Sequence, residues 1–278
     1  MVLGKVIAPT DFDYIRDLVR KNSAIVLDSG KEYLVEARLM PLARRKGFLS
    51  IAALVSALKE NPYDDLHRSV IEAMTTNETS FFRDGRPFMA FKKHILPNLV
   101  ETRASQKALQ IWCAASSSGQ EPYTLAMLID EYFSDKPGWT VRIIASDIST
   151  EMLERAQEAR YSQLEINRGL PAQYMVRCFE KEGMEWQLKE HIRRMVEFRK
   201  INLATDWPPM PVFDVIFIRN VLIYFDVETK KAILAKTREL MRPESYLLLG
   251  GAETTLNIDD NFQQEHIERA SIYRLREP

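Results

Sequence analysis

The stretch that most constrains the fold covers residues 111–127, IWCAASSSGQEPYTLAM. Its apolar start predicts a buried strand, its small residues at 114–119 predict a tight turn, and Pro122 suits the first turn of a helix. In an open α/β sheet, a strand-to-helix turn lies at the carboxyl end of a strand, where ligands usually bind. Taken alone, the stretch is also compatible with an ordinary turn that binds nothing.

The composition of this turn restricts the kind of ligand. It contains a single glycine, Gly119, so it does not match the G-x-G-x-x-G pattern of dinucleotide-binding proteins. Its small side chains would let a ligand approach the backbone closely. The acidic Glu121 disfavours a pyrophosphate and favours a ligand with positive charge and no phosphate. S-adenosylmethionine has both properties.

Hydrophobic periodicity divides the chain at about residue 75. Residues 1–75 carry apolar side chains at helical spacing and predict an all-helical domain. From residue 88 onwards, predicted helices alternate with apolar strands, which is typical of an α/β domain with a mainly parallel sheet. Strands are predicted over residues 109–114, 141–145, 213–218 and 246–250, with a hairpin over 262–275. Residues 161–201 are less regular and predict a small meander of short strands near Trp186, His191 and Met195.

Composition and charge exclude several classes of protein. The formal net charge of −1 gives no overall attraction to nucleic acid or to an anionic membrane. No apolar stretch is long enough to span a membrane, and the first ten residues do not resemble a signal peptide. The two cysteines make no disulfide framework, and the four histidines show no metal-ligand spacing. We therefore expect a cytoplasmic protein without a metal.

Residues 75–87, TTNETSFFRDGRP, interrupt the helical pattern with polar side chains around two aromatic ones. Phe81 and Phe82 predict an anchor in an apolar core. Arg83 follows directly, and a planar guanidinium held by such packing can grip a carboxylate through two hydrogen bonds. The alternative is a capped linker between domains that binds no ligand.

Polar residues also follow two other predicted strands. Asp147 ends the second strand, about 30 residues after the first turn, where a carboxylate can accept hydrogen bonds from both hydroxyls of a ribose. Its alternative role is to cap the next helix, for which Ser149 competes. Arg219 and Asn220 end the strand at 213–218, where polar groups either face a ligand or lie unpaired at a cost in free energy.

Basic residues are concentrated in one part of the helical region. Between Arg16 and Lys46, eight Lys or Arg residues stand against four acidic residues. A solvated helix face explains this pattern. A docking surface for an acidic partner helix also explains it, because opposite charge speeds encounter and selects partners.

Four stretches together resemble one known family: TTNETSFFRD, AASSSGQEPYTLAM, ASDIS and FIRNVLIYFD. The chain resembles the CheR family of chemotaxis receptor methyltransferases over nearly its whole length. The resemblance implies an α/β fold in which an all-helical N-terminal domain, residues 1–75, docks the receptor. A linker at 76–90 would contribute to the cofactor site. Residues 91–278 would form a Rossmann-like, seven-stranded methyltransferase domain that depends on S-adenosylmethionine, with a small antiparallel β-subdomain inserted at about 178–201.

The resemblance also implies the residues of the site. Cofactor-binding positions match Asn77, Thr79, Arg83, Glu121, Asp147, Asn202, Leu203, Arg219 and Asn220. Asp147 would hold the ribose, and Asn202 and Leu203 would lie beside the adenine. Arg83 and Tyr224 match positions near the reacting groups and are the candidate catalytic residues. The candidates for docking the receptor's acidic helices are Arg38, Arg44, Arg45 and Lys46.

The implied reaction transfers a methyl group from S-adenosylmethionine to the γ-carboxylate of specific glutamates in the cytoplasmic coiled coil of chemotaxis receptors. The products are S-adenosylhomocysteine and glutamate methyl esters, which serve sensory adaptation. A glutamate is already ionised at neutral pH, so the reaction needs no strong general base. Two alternatives stay open: a methyltransferase of the same fold with another acceptor, such as a small molecule or RNA, and a regulatory protein that senses S-adenosylmethionine without catalysis.

The predicted β-subdomain departs from relatives that tether to a receptor's C-terminal pentapeptide. The region at 178–202 is a few residues shorter than in those relatives and lacks their glycine-rich insertion, having only Gly183. We therefore expect an enzyme that is independent of the pentapeptide. Nothing in the sequence demands more than a monomer, and neither nucleic acid nor membrane insertion is expected.

Overall fold

The computed structural model describes residues 7–276. It divides into two compact units, Met1–Thr76 with Tyr224–Thr229, and Asn77–Ile223 with Lys230–Pro278. The first six residues of the predicted helical domain and the last two of the predicted α/β domain lie outside the described residues. Within residues 7–276, no helix has both the length and the apolar character that a membrane crossing requires.

The first unit is helical, as the periodicity predicts. Its helices are α1 (Pro9–Ser23), α2 (Glu32–Arg45), α3 (Ile51–Glu60) and α4 (Asp65–Ala73). Each helix buries one apolar face, as α1 does with Phe12, Ile15 and Val19 at helical spacing. The start of α3 is fixed by the Ser50 hydroxyl, which accepts a hydrogen bond from the Ala53 amide at 3.1 Å.

The described part of the second unit contains ten strands. They are β1 (Ala108–Ala114), β2 (Thr140–Asp147), β3 (Arg160–Ser162), β4 (Phe179–Glu182), β5 (Glu185–Leu188), β6 (Val196–Lys200), β7 (Phe213–Ile218), β8 (Met241–Leu249), β9 (Phe262–Ile267) and β10 (Ala270–Leu275). Before β1 lie α5 (Arg86–Ala90), a π-helical turn (Phe91–Ile95) and α6 (Leu96–Thr102). Between the strands lie α7 (Gln120–Phe133), α8 (Thr150–Glu158), α9 (Gln163–Asn167), α10 (Ala172–Cys178), α11 (Glu190–Arg193) and α12 (Val227–Glu239). The first residues of α12 belong to the first unit.

Seven strands form one sheet in the order β6-β2-β1-β7-β8-β10-β9. The first five are parallel to one another, and β10 is antiparallel to both of its neighbours. Ile111 of β1 lies opposite Ile143 of β2 and Val215 of β7. Because these strands are parallel, the turns after β1, β2, β6 and β7 all lie at the same end of the sheet, the carboxyl end of its parallel strands.

The two outer strands of this sheet, β6 and β9, carry polar side chains. In β6, the Glu197 carboxylate accepts hydrogen bonds from Arg142 on the neighbouring strand and from Arg199. In β9, Gln263 and Gln264 are exposed. Polar and charged groups on outer strands are typical of sheets that end at water.

A second, three-stranded antiparallel sheet has the order β3-β5-β4. It therefore begins before the predicted range of 178–201 and ends at Leu188. The strand predicted near Met195 is β6 of the large sheet, because Val196 pairs with Ile143 of β2. The strand predicted near His191 is wrong, since this residue lies in the short helix α11. Apolar residues at short spacing could not separate these choices, because a strand and one helical turn bury similar patterns.

Candidate active site

The β1 turn, residues 115–119, joins β1 to α7. Its backbone is left-handed at Ala115, with φ of 54°, at Ser117, with φ of 49°, and at Gly119, with φ of 94°. The Ser116 amide donates to the carbonyl of Ser146 at 2.9 Å and ties the turn to the end of β2. Left-handed residues other than glycine are uncommon, so the neighbours of this turn must hold its backbone in place.

Gly119 is a position of the β1 turn at which the neighbouring residues leave no room for a side chain. A Cβ atom there would lie 3.0 Å from the Tyr123 ring, 3.1 Å from the Ala156 methyl and 3.1 Å from the Tyr161 hydroxyl. The Tyr161 hydroxyl donates to the Ser118 carbonyl at 2.8 Å. Glycine therefore satisfies both the left-handed backbone and the close approach of two tyrosines.

Asp147, at the end of β2, lies beside the β1 turn as the sequence predicts. One carboxylate oxygen accepts from the Ser117 amide at 2.8 Å, and the other accepts from the Ser149 amide at 2.9 Å. Ser149 is the N-cap of α8 and accepts from the Met152 amide, so the alternative in which Asp147 caps that helix is wrong. Asp147 is buried, with 6% of its surface exposed, between the β1 turn and the start of α8.

The linker at 77–85 packs against the same turn. The Ser117 hydroxyl donates to the Asn77 carbonyl at 2.9 Å, and the Phe82 amide donates to the Thr124 hydroxyl at 3.2 Å. Phe82 is left-handed, with φ of 51°, as is Asp84, with φ of 66°. The strained backbone of the linker thus meets the strained backbone of the β1 turn.

The predicted aromatic anchor of this linker is confirmed. Phe81 is fully buried, and its ring packs edge-on against Tyr161 at 4.9 Å and Phe179 at 5.7 Å between centroids. A Cβ at Gly169 would lie 2.2 Å from the Phe81 carbonyl oxygen. Phe82 stacks on Tyr174 at 5.1 Å. This packing fixes the position of the polar residues between Asn77 and Arg83, among which Thr79 is half-buried.

Arg83 is held within the linker itself. Its guanidinium donates to the Glu78 carbonyl at 2.6 Å, and the side chain of Glu78 pairs with Arg168. The Arg83 carbonyl accepts from the Arg219 guanidinium at 3.3 Å. A backbone carbonyl thus restrains the Arg83 guanidinium, and the Arg83 backbone connects the linker to the end of β7.

Arg219 joins two acidic side chains at this place. Its guanidinium lies 2.6 Å from the Glu121 carboxylate of α7 and 2.6 Å from the Asp84 carboxylate. The Arg219 side chain is 1% exposed, and its guanidinium carbon lies 5.4 Å from the centroid of the Phe88 ring. Because a buried arginine without partners is strongly unfavourable, the two carboxylates and the ring determine where this residue can sit.

The electrostatics of Glu121 follow from this burial. Burial raises the pKa of its carboxyl above the ordinary value of 4.5, and the nearby Arg219 guanidinium opposes that shift. Burial likewise raises the pKa of the Cys113 thiol, which lies on β1 next to this pair. The thiol is therefore protonated at neutral pH and is not a nucleophile.

The β7 loop, residues 219–223, follows β7 and is held by a carboxylate that the sequence analysis missed. The Glu253 carboxylate accepts hydrogen bonds from the amides of Asn220, Val221, Leu222 and Ile223, at 2.8, 2.8, 2.7 and 3.3 Å. It also accepts from the Gly250 amide at 2.6 Å. Asn220 is left-handed, with φ of 59°. Glu253 is 8% exposed and acts as the anchor of this loop.

Asn202 and Leu203 follow β6 at the same edge of the sheet. The Ile201 amide donates to the Asp147 carbonyl at 3.0 Å, which places the next residues beside the end of β2. The Lys236 ammonium of α12 donates to the Leu203 carbonyl at 3.1 Å and lies 4.5 Å from the centroid of the Trp207 ring. Lys236 thus holds the loop in which the predicted adenine-binding residues lie.

Tyr224 and the four docking candidates belong to the first unit. The Tyr224 carbonyl accepts from the Val26 amide at 3.0 Å. Arg38 is half-buried, and its guanidinium donates to the Met74 carbonyl at 2.5 Å and the Thr76 hydroxyl at 2.7 Å. The other three candidates, Arg44, Arg45 and Lys46, are exposed at the C-terminal end of α2. The candidate catalytic residues Arg83 and Tyr224 therefore lie in different units.

Two buried polar atoms near the β1 turn have no partner within residues 7–276. They are the Ser116 hydroxyl oxygen and the Arg219 Nε. A buried polar atom without a partner costs free energy, and a bound ligand can supply the missing hydrogen bond. In the same part of the chain, no group of three or more His, Cys, Asp or Glu residues is arranged to hold a metal ion. The two orphaned atoms therefore suit a small polar ligand that can hydrogen-bond to them.

Three residues that shape this site were not predicted from the sequence: Asp84, Lys236 and Glu253. Asp84 directly follows Arg83 in a polar stretch, and nothing in the local pattern distinguishes it from an exposed acidic residue. Glu253 stands in the loop after β8, in the sequence GGAETT, where two glycines indicate a turn but say nothing of what the carboxylate binds. Only the fold brings it to the β7 loop.

Two known protein-family models match this chain. "CheR methyltransferase, SAM binding domain" matches residues 77–271, and "CheR methyltransferase, all-alpha domain" matches residues 10–75. The chain is 40% identical to chemotaxis protein methyltransferase 1 of Pseudomonas aeruginosa, over 97% of this chain and 99% of that protein. It is 37% identical to chemotaxis protein methyltransferase Cher2 of Pseudomonas putida, over 96% and 98%. It is 31% identical to the chemotaxis protein methyltransferase of Escherichia coli, over 90% and 86%.

Proposed function

The chain belongs to the CheR methyltransferase family, and from that membership we propose that it methylates glutamate side chains of chemotaxis receptors. The observation that carries the proposal is coverage: the similar chemotaxis methyltransferases match both domains over 90% or more of the chain. An acceptor outside chemotaxis and a purely sensory protein are not favoured, because neither explains why the helical domain is retained together with the cofactor-binding domain.

Residues at the carboxyl edge of the sheet would hold the cofactor. Asp147 would hold the ribose, since it already lies at the β1 turn with its carboxylate fixed by two backbone amides. Glu121 would accept from the ammonium group, with Arg219 keeping its carboxylate in place. Asn202 and Leu203 would lie beside the adenine, and Asn77, Thr79 and Asn220 would complete the set. S-adenosylmethionine, when bound, supplies the methyl group.

The chain's own contribution to the transfer is placement. A receptor glutamate arrives ionised, so its oxygen, the methyl carbon and the sulfur must be brought into line and water must be excluded. Arg83 would orient the incoming carboxylate, because its guanidinium is held by one backbone carbonyl and has further donors. Tyr224 would hydrogen-bond to substrate or cofactor. Burial keeps the Cys113 thiol protonated, which leaves no thiolate to compete for the methyl group.

The receptor would dock on the exposed basic end of α2. Three basic residues are exposed there: Arg44, Arg45 and Lys46. Together they would attract an acidic helix, and salt would weaken that attraction by screening the charges. Arg38 contributes less to docking, because its guanidinium is engaged by Met74 and Thr76. The protein would act as a monomer in the cytoplasm. It would need no receptor pentapeptide, since the turn between β4 and β5 is short and has Gly183 as its single glycine.

The test is transfer of labelled methyl from S-adenosylmethionine to receptor-containing membranes, followed by treatment with base. We expect label that base releases as methanol, the mark of a carboxyl methyl ester. Base-stable label would leave the fold intact and assign another acceptor. Calorimetric binding of the cofactor without any transfer would instead support a sensory protein. Tyr224→Phe should bind cofactor and lose turnover, whereas Arg83→Ala, which also removes a predicted cofactor contact, should lose turnover and bind cofactor more weakly.

A further inference from the structure

The β7 loop connects two groups of predicted site residues along the chain. Arg219 and Asn220 begin it, and Tyr224 follows directly after it. Its backbone is not part of a regular sheet, and Asn220 takes the left-handed conformation that an asparagine tolerates but does not prefer. Something must therefore hold this loop in one conformation.

Glu253 provides that restraint through its carboxylate alone. Successive amides of a loop that point to one place form a concave, electropositive nest that favours an anion. In this protein the anion is a side chain: one oxygen of Glu253 accepts from Asn220 and Gly250, and the other from Val221, Leu222 and Ile223. Every partner is a backbone donor, so the nest fits a carboxylate and does not fit an amide.

The backbone around Glu253 is itself fixed. Its amide donates to the Gly250 carbonyl at 2.9 Å, which closes a tight turn after β8. Its carbonyl accepts from the Tyr273 hydroxyl of β10 at 3.4 Å. A Cβ on Gly250 would lie 2.6 Å from the Glu253 carboxylate and 2.8 Å from the Asn220 amide. The carboxylate is thus supplied from a hydrogen-bonded turn directly after β8, and Gly250 leaves room for it.

We propose that Glu253 is a positioning residue for methyl transfer, which fixes the β7 loop so that Arg219 and Asn220 are presented together at the end of β7. This inference rests on the proposed function. The Glu253 carboxylate accepts from backbone amides of the loop, and its effect on the reaction is exerted through that loop. A role confined to stability would lower the melting temperature and leave the kinetic constants of the folded enzyme unchanged.

Two variants test the nest: one changes the carboxylate, and the other changes the space that it occupies. Glu253→Gln keeps size and shape but turns one acceptor into a donor that faces backbone donors. Gly250→Ala keeps the carboxylate and crowds it out of the nest. The matched control is Asp259→Asn in the same connection between β8 and β9: Asp259 is 9% exposed and accepts from Arg238 and Asn261, away from the β7 loop.

The measurements use the full chain, S-adenosylhomocysteine in calorimetry and receptor-containing membranes in the transfer assay. We expect Glu253→Gln and Gly250→Ala each to raise the dissociation constant and to lower kcat by about tenfold or more, since hydrogen bonds to a charged group are lost. Amide exchange at residues 220–223 should accelerate in both variants. Asp259→Asn should lower the melting temperature only.

Each outcome decides the question. Kinetic constants at wild-type values in both nest variants, with or without a lower melting temperature, would overturn the proposal. So would an equal kinetic loss in Asp259→Asn. If Glu253→Gln fails to fold, Gly250→Ala carries the test. Failure of the wild-type chain to transfer methyl to receptors would count against the proposed function, whereas the calorimetric and exchange results would still decide whether Glu253 holds the loop.

Discussion

The β1 turn and the β7 loop follow adjacent parallel strands, and a carboxylate from another element holds each of them. Asp147 accepts from one amide of the β1 turn and uses its second oxygen for the start of α8. Glu253 accepts from four successive amides of the β7 loop and from Gly250. The first carboxylate joins two elements, the β1 turn and the residue that caps α8, whereas the second is surrounded by five backbone amides of one loop and one turn. A carboxylate that joins two elements and one that fixes a single loop can thus be told apart by the backbone amides from which they accept.

The largest effect is expected where the two regions meet, at Arg219. Arg219→Leu removes both ion pairs and leaves Glu121 buried without a cation. We expect the free energy of unfolding to fall by roughly 3–5 kcal/mol, measured by urea denaturation. Arg155→Leu, which breaks a largely exposed pair with Glu165, is the control and should cost no more than about 1 kcal/mol. Equal losses would mean that the β1 turn and the β7 loop do not depend on this arginine.

The β1 turn should be the more sensitive of the two to an added side chain. Gly119→Ala places a Cβ against Tyr123, Ala156 and Tyr161 at a left-handed position, and we expect a loss of about 1–3 kcal/mol in unfolding free energy. Gly183→Ala is the matched control, because its φ is 62° and nothing lies within 4 Å of the new atom. The difference between the two variants measures crowding alone. No difference would show that the turn can move apart.

Asp147 should affect binding more than stability, because it is the predicted partner of the ribose. Asp147→Asn keeps the shape and loses the charge, so we expect the dissociation constant for S-adenosylhomocysteine to rise by about tenfold or more. Isothermal calorimetry measures it, and thermal unfolding without ligand provides the comparison. A variant that melts much earlier yet binds normally would place Asp147 with Glu253 as a scaffold residue.

The pH dependence of cofactor binding should report on Glu121. Its carboxylate favours a positively charged ligand, and it takes up a proton as the pH falls through a pKa that burial raises above 4.5. Affinity should therefore be present above that pKa and be lost on acidification at a higher pH than an exposed glutamate would require. Glu121→Gln should bind weakly and without this transition. An unchanged pH profile in the variant would assign the transition to another group.

The smallest effect is expected on α2, which belongs to neither region. Reversing the charge of Arg44 and Arg45 to glutamate should raise the KM for receptor several-fold, more at low salt than at high salt, and should spare cofactor affinity. Arg38→Ala should behave differently, since it releases Met74 and Thr76 and its effect should not depend on salt. Receptor KM at two ionic strengths distinguishes them. Salt-independent behaviour of the reversed variant would remove the docking proposal.

The sequence predicted those parts of the site that sit next to periodic elements. Asp147 and Arg219 could be found because each ends an apolar strand, and the β1 turn because its small residues separate a strand from a helix. Glu253 and Lys236 could not, since their roles depend on contacts across 30 or more residues that no local pattern encodes. The small sheet was placed too late in the chain for a similar reason: β3 is only three residues long, and its partner β5 lies more than 20 residues away.

The polar outer strands of the large sheet have a consequence for solubility. An outer strand presents unpaired backbone groups that can recruit a strand of another molecule, which is how edge-to-edge aggregation begins. In β6, the Glu197 carboxylate is bracketed by Arg142 and Arg199, so a second chain would have to desolvate these charges before it could pair. The same strand ends at the loop that carries Asn202 and Leu203. The outer strand that leads to these predicted adenine-binding residues is therefore also protected against pairing with another molecule.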